Sequence, residues 1–240
     1  MSKATIFFFF IILLNSFFVL IFDKHKNSSI SNVIIKPGMN LKEISGELFS
    51  KKIIRNPHIF KIWVKLSFSD KKLRFGEFNF ERSNSIYDVT EKLVNGDVVF
   101  RKLTIIEGSY KYELLNILKE IDPKSSLEYE DLSDLIVADT YNYQITDSAE
   151  RILNHIKKIS DNFSQKIWSE RDLTVPLKSI NEMFILASIV EKETSIKDEK
   201  PIISGVFYNR LNKNMRLQSD PTVIYSITQG KYRFKRKLTR

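Results

Sequence analysis

The sequence predicts an α+β protein that opens with one transmembrane helix, continues as a series of strand–turn–helix units, and ends in a mainly helical stretch. Three observations carry this reading. Residues 4–22 form an uncharged apolar run. A short apolar strand, a turn and a helix recur three times between residues 33 and 118. Near residue 185 the apolar residues take up a helical period.

The apolar run holds only Thr5, Asn15 and Ser16 as polar residues. As a helix its 19 residues would be about 28 Å long, close to the thickness of a bilayer core. A cleaved signal peptide has a shorter apolar region ending at a small-residue site, and Leu20-Ile21-Phe22-Asp23 offers none, which favours an uncleaved anchor. Lys3 before the span and Lys24 and Lys26 after it leave its orientation nearly undecided. Residues 1–23 are thus read as a cytoplasmic start and anchor, and the polar stretch 24–32 as a linker.

The first unit places Val33-Ile34-Ile35 as a strand and Lys36-Pro37-Gly38 as a turn. Asn40 then stands as a helix cap with Glu43 three residues on, and Leu41, Ile44 and Leu48 follow at helical spacing. In the second unit Ser85 opens a helix carrying Ile86, Val89 and Leu93. The third runs from a strand at Leu103–Ile106 through Glu107-Gly108 to Leu114 and Leu118. This plan resembles the glycan-binding LysM modules, although a plain α+β scaffold has the same local pattern.

The net charge of +9 raises the question of nucleic acid. Six of the basic residues, Lys231, Arg233, Lys235, Arg236, Lys237 and Arg240, crowd the last ten positions, and the charges elsewhere are mixed as on a solvated surface. With no recognised nucleic-acid fold, nucleic acid is not expected as a partner. The absence of cysteine excludes disulfides, thiolate zinc sites and thiol nucleophiles. The three histidines, His25, His58 and His155, are scattered and form no ligand cluster, so neither metal nor organic cofactor is expected.

Three long stretches stand in order downstream: Ile185-Leu186-Ala187-Ser188-Ile189-Val190-Glu191-Lys192-Glu193-Thr194, Gly205-Val206-Phe207-Tyr208-Asn209-Arg210-Leu211, and Met215-Arg216-Leu217-Gln218-Ser219-Asp220-Pro221-Thr222-Val223-Ile224-Tyr225. Together with Ile34-Ile35-Lys36-Pro37-Gly38, Phe75-Gly76-Glu77-Phe78, Ile105-Ile106-Glu107-Gly108 and Asp139-Thr140-Tyr141, this set resembles the endolytic murein (peptidoglycan) transglycosylases, the MltG or YceG-like family. The resemblance covers nearly the whole chain. It implies a LysM-like subdomain over residues 33–104 and a catalytic domain over residues 105–240. It also implies a single-pass inner-membrane location with the bulk of the chain extracytoplasmic. Two departures stand out: Val137-Ala138 precede Asp139 where the family has Phe-Pro, and the family continues beyond the Asp-Pro-Thr motif with a further segment. The catalytic domain is therefore expected to be incomplete at its C-terminus.

The residues around Glu193 have their own logic. On a helix over Met183–Thr194, Glu193 points within about 55° of the mean apolar direction, against about 105° for Glu191 and about 155° for Lys192. A carboxyl on that face is expected to be partly desolvated, which favours the protonated form that a general acid needs. The family's catalytic glutamate falls on Glu193. The resemblance implies that it protonates the glycosidic oxygen between N-acetylmuramic acid and N-acetylglucosamine, then deprotonates the muramyl C6 hydroxyl that closes a 1,6-anhydro ring. The substrate supplies the nucleophile, so the second carboxylate of a two-acid glycosidase is not required.

Asp220-Pro221 reads as a helix start with Asp220 as the cap, a role that competes with substrate contact. Gln218 and Ser219 are candidates for hydrogen bonds to N-acetyl or hydroxyl groups. Asn209 and Tyr225 are candidates for the wall of a sugar cleft, while Trp63 and Trp168 fit core packing better than sugar stacking. The implied partners are peptidoglycan glycan strands and the membrane, with cell-wall synthesis proteins as further candidates. The alternative function is an inactive remnant that acts only as a glycan-binding or scaffold protein of the membrane.

Overall fold

The structure, a computed structural model, describes residues 3–26, 31–81 and 83–235. Residues 27–30 of the stretch read as a linker and residues 236–240 of the basic tail lie outside the described residues. The fold is mixed α+β and mostly helical. It divides into two compact units, Met1–Arg101 with Gln144–Thr146, and Lys102–Tyr143 with Asp147–Arg240.

The first unit begins with helix α1 (Lys3–Phe22). Among the described residues α1 is the one helix long and apolar enough to cross a membrane, and its window Thr5–Phe22 is almost wholly exposed. Length and composition of this kind suit a membrane anchor and equally a signal sequence. Within the stretch read as a linker, β1 (His25–Lys26) pairs antiparallel with β4 (Ser83–Asn84). Strand β2 (Ser31–Ile35) runs antiparallel to β3 (Gly76–Phe80), with Ser31 opposite Phe80 and Ile35 opposite Gly76. The two-residue alternation turns Val33 and Ile35 inward with Phe78 and Phe80, and leaves Ile34 outside.

Helices α2 (Leu41–Ser50), α3 (Pro57–Leu66) and α4 (Ile86–Asn95) pack on this ribbon. Their start points are set locally. Asn40 accepts from the N–H groups of Lys42 and Glu43, while Glu43 accepts from Asn40 N–H at 2.8 Å. Ser85 and Asp88 repeat this reciprocal box at α4. Gly38 precedes α2 at φ +84°, a left-handed turn that costs glycine little. The shared core holds Ile44, Leu48, Phe60, Val64, Val89 and Leu93, and the end of α1 contributes Ile21 to it. Glu77 is buried but paired, accepting from Asn32 at 3.2 Å and Arg101 at 3.1 Å. Trp63 packs against this core, in line with its expected structural role.

Strand β5 (Arg101–Thr104), which enters the second unit at Lys102, pairs with β6 (Thr140–Tyr143). The third strand–turn–helix unit is present: Gly108 turns at φ +73° into α5 (Lys111–Ile121), and Glu113 accepts from Tyr110 N–H at 2.9 Å. Helices α6 (Ala149–Ser169), α7 (Ile180–Glu193), α8 (Lys200–Asn212) and α9 (Asp220–Thr228) complete it. One core gathers Leu114, Leu118, Leu132, Tyr141, Ile152 and Ile156. Tyr141 of the Asp139-Thr140-Tyr141 motif is buried there, its hydroxyl donating to the Val137 carbonyl at 2.6 Å. A second, smaller core joins Leu186, Ile189 and Val190 of α7 to Phe207 of α8.

Candidate active site

Glu193 is the last residue of α7. Ser179 starts that helix by accepting from Glu182 N–H at 3.2 Å, and Thr194 leaves it in an extended conformation. The apolar stripe Leu186, Ile189 and Val190 anchors α7 against α8. Lys200, the first residue of α8, holds Glu191 in an ion pair at 2.6 Å, and Thr194 Oγ1 donates to Glu199 at 2.6 Å. The connection that follows α7 is therefore tied back to the helix it leaves.

From α8 the chain passes through a hydrogen-bonded turn into a short irregular connection. Met215 N–H donates to the Arg210 carbonyl at 2.8 Å, and the Arg210 guanidinium donates to the Leu217 carbonyl. Asn214 and Gln218 stand at φ +52° and +54°, left-handed values that are uncommon outside glycine. This turn delivers Ser219, buried at 3 % exposure, to the end of α7, where its hydroxyl donates to Glu193 Oε1. Among the described residues Glu193 makes no other side-chain hydrogen bond or ion pair.

Two expectations require correction. Glu193 is exposed, so the partial desolvation read from its helical face is not found. The reason is that Glu193 closes α7: the apolar side of the helix ends with Val190, and the element facing Glu193 presents a hydroxyl instead of an apolar side chain. Asp220 is not the cap of α9. The flanking residue is Ser219, with Asp220 as the first helical residue and Pro221 next to it. Ser219 does not cap with its side chain either, because the hydroxyl is committed to Glu193; its carbonyl receives Thr222 Oγ1 at 2.6 Å instead.

Of the remaining predicted site residues, Gln218 and Asp220 flank Ser219 and are exposed. Asn209 is exposed on α8, with no side-chain hydrogen bond to another described residue. Tyr225 lies elsewhere on α9: a Cβ on Gly230 would stand 3.4 Å from its ring and 2.9 Å from the Tyr129 hydroxyl. That hydroxyl donates to the Gln229 carbonyl at 2.9 Å, and burial followed by the neighbouring Tyr225 pushes the Tyr129 phenol above its ordinary range. Trp168 is half-buried under Arg171, whose guanidinium carbon sits 3.7 Å from the ring centre.

Sequence reasoning missed what the Gly108 turn does. A Cβ there would lie 3.5 Å from both the Glu191 and Lys192 side chains, so the turn rests on the last turn of α7. Lys192 Nζ stands 4.2 Å above the Tyr110 ring, a cation–π contact from the same end of the helix. The only sequence signal was the proximity of Glu107-Gly108 to Tyr110 in a motif read as a turn. A groove of about 540 Å³ is lined by first-unit residues including Asn32, Lys36, Glu43 and Lys51, and one of about 670 Å³ by Tyr112, Ile227 and Lys231 to Lys235. Neither is lined by Glu193.

The YceG-like family matches residues 33–240. The endolytic murein transglycosylase of Streptococcus pneumoniae serotype 2 is 25% identical over 244 residues, covering 82% of this chain and 43% of that protein. The endolytic murein transglycosylase of Bacillus subtilis strain 168 is 23% identical over 235 residues, covering 84% of this chain and 64% of that protein. The chain thus spans less than two thirds of the length of these curated relatives. A crystal structure of a yceG-like protein from Listeria monocytogenes shares 27% identity and covers 89% of this chain and 79% of that one, with a TM-score of 0.44.

Proposed function

The chain belongs to the YceG-like family, and from that premise we propose that it is a membrane-anchored endolytic lytic transglycosylase of peptidoglycan. Two curated relatives carry the name endolytic murein transglycosylase, which supports the substrate and reaction class. The observation that carries the reading is the hydrogen bond from Ser219 to Glu193. It joins two of the motif stretches, residues 185–194 and 215–225, at a single exposed carboxylate.

In this reading Glu193 is the general acid and base. Its proton passes to the oxygen bridging C1 of N-acetylmuramic acid and C4 of N-acetylglucosamine, and the C1–O bond breaks. The C6 hydroxyl of the same muramyl residue attacks C1 and gives its proton to Glu193, so the 1,6-anhydro ring forms and water is not consumed. Ser219 holds one carboxylate oxygen, and the other faces the substrate. Gln218, Asp220 and Asn209 are the polar groups offered to N-acetyl and hydroxyl groups, with Tyr225 further along α9. Residues 33–104 serve as the LysM-like part, α1 as the inner-membrane anchor, and the remainder is extracytoplasmic.

The test is mass analysis of products released from purified sacculi by the chain and by Glu193→Gln, which keeps the shape but has no transferable proton. Anhydro-ended products are expected from the unmodified chain and none from Glu193→Gln. Undiminished activity in Glu193→Gln would overturn the assignment. Retention on sacculi without release of products would identify a glycan-binding protein instead.

A further inference from the structure

The junction between α1 and the first unit leaves no room for a flexible tether. Ile21 is fully buried in the first unit's core, and Phe17, more than a turn earlier, packs against the same core. Phe22 stacks on Tyr87 at 5.1 Å and meets Trp63 edge-on at 6.2 Å. Asp23 pairs with Arg55 at 2.8 Å. Phe17 to Phe22 spans about 7.5 Å of helix axis. The whole apolar run is about as long as the bilayer core is thick, so this packed end of α1 lies at the edge of that core. If α1 spans the bilayer, the first unit is held flush against it.

The surface next to that junction has a matching composition. Trp63 shares one stripe of α3 with Ile59 and Leu66, at spacings of four and three, and Ile62 borders it. Leu66 is 60 % exposed and Ile62 49 %. Phe68, just beyond the helix, is 80 % exposed and stands at φ +52°, an unfavourable backbone state for a bulky side chain. It is held there by the closing turn, in which Phe68 N–H donates to the Lys65 carbonyl at 3.1 Å and Ser69 N–H to the Val64 carbonyl at 2.9 Å. Lys65, Lys71 and Lys72 are exposed around it, with Asp70 the one acid among them. Single exposed apolar residues are ordinary on protein surfaces. Three within seven positions, beside the end of a candidate span and rimmed by cations, form a surface suited to acyl chains below and phosphates above.

We propose that the first unit docks on the bilayer through this face, with Ile62, Leu66 and Phe68 set into the headgroup layer and the lysines against lipid phosphates. The inference rests on α1 being a retained anchor, and the experiment separates the two. The chain has no cysteine, so single cysteines report one site each. Full-length Leu13→Cys, Leu66→Cys and Phe68→Cys variants carry an environment-sensitive fluorophore in vesicles of phosphatidylcholine and phosphatidylglycerol. The lipids bear a nitroxide quencher near the headgroup or in mid-chain. The Leu13 label should lose fluorescence to the mid-chain quencher, and the Leu66 and Phe68 labels to the headgroup-proximal one. A quenched Leu13 label, with Leu66 and Phe68 labels quenched only by aqueous iodide, would overturn the docking and leave the anchor standing. A Leu13 label that no lipid quencher reaches would remove the anchor and the docking with it.

Discussion

Ser219→Ala removes the hydrogen bond that, among the described residues, alone holds the Glu193 side chain, while leaving the fold nearly untouched. Ser219 is buried, and alanine fills almost the same volume. The carboxylate it abandons is exposed and can turn to water, so stability should change by no more than about 1 kcal/mol. Catalysis is affected differently. A hydrogen bond to a charged group contributes about 1.5–3 kcal/mol, and fixing a glutamate side chain costs about 1.5–2 kcal/mol of rotamer entropy. Because Glu193 is exposed, the lower end applies. A loss of about 1.5 kcal/mol of transition-state stabilisation corresponds to a roughly tenfold fall in kcat. The assay is steady-state release of glycan fragments from sacculi, with kcat and KM separated. Ser219→Ala should lower kcat with KM unchanged, and Ser219→Thr, which keeps a hydroxyl, should recover part of it. An increase in KM at constant kcat would mean that the hydroxyl binds sugar instead, and would refute the positioning role.

Glu191→Gln breaks the ion pair with Lys200 at 2.6 Å without touching Glu193, so it should cost about 0.5–1 kcal/mol in a denaturant titration and lower activity only modestly. Gly108→Ala and Gly38→Ala both force a side chain into a left-handed turn, at φ +73° and +84°, and each should lose about 1–2 kcal/mol. A Cβ at Gly108 makes only ordinary van der Waals contact with Glu191 and Lys192 at 3.5 Å, and Gly38 has open space, so backbone strain alone sets the loss and a denaturant titration should give similar values for the two variants. Burial pushes the Tyr141 phenol up. Its contribution to stability is present below the ordinary tyrosine value and is lost as pH rises through the folded value, so thermal melts should show a decline above about pH 10 that Tyr141→Phe lacks.

Features set by near neighbours were legible in the sequence, and those set by distant partners were not. The boxes at Asn40 with Glu43 and at Ser85 with Asp88 follow from residues three apart, so α2 and α4 begin where their patterns place them. The pairing of His25–Lys26 with Ser83–Asn84 depends on residues more than fifty positions away and left no local signal. The start of α9 was misread by one residue because proline fits either of the first two helical positions, and because the Ser219 hydroxyl serves Glu193 across 26 positions instead of its own helix. The position of Glu193 on α7 was readable from its period, but its exposure was not, since burial depends on what a neighbouring element brings to that spot.

In the proposed reaction Glu193 drives glycan cleavage in which the substrate's own C6 hydroxyl, and not water, attacks C1. Digestion of sacculi in ¹⁸O-water followed by mass spectrometry of the new muramyl ends tests this directly. Anhydro ends without ¹⁸O are expected from the unmodified chain, and no new ends from Glu193→Gln. Reducing ends carrying ¹⁸O, or anhydro ends from both proteins, would contradict that reaction.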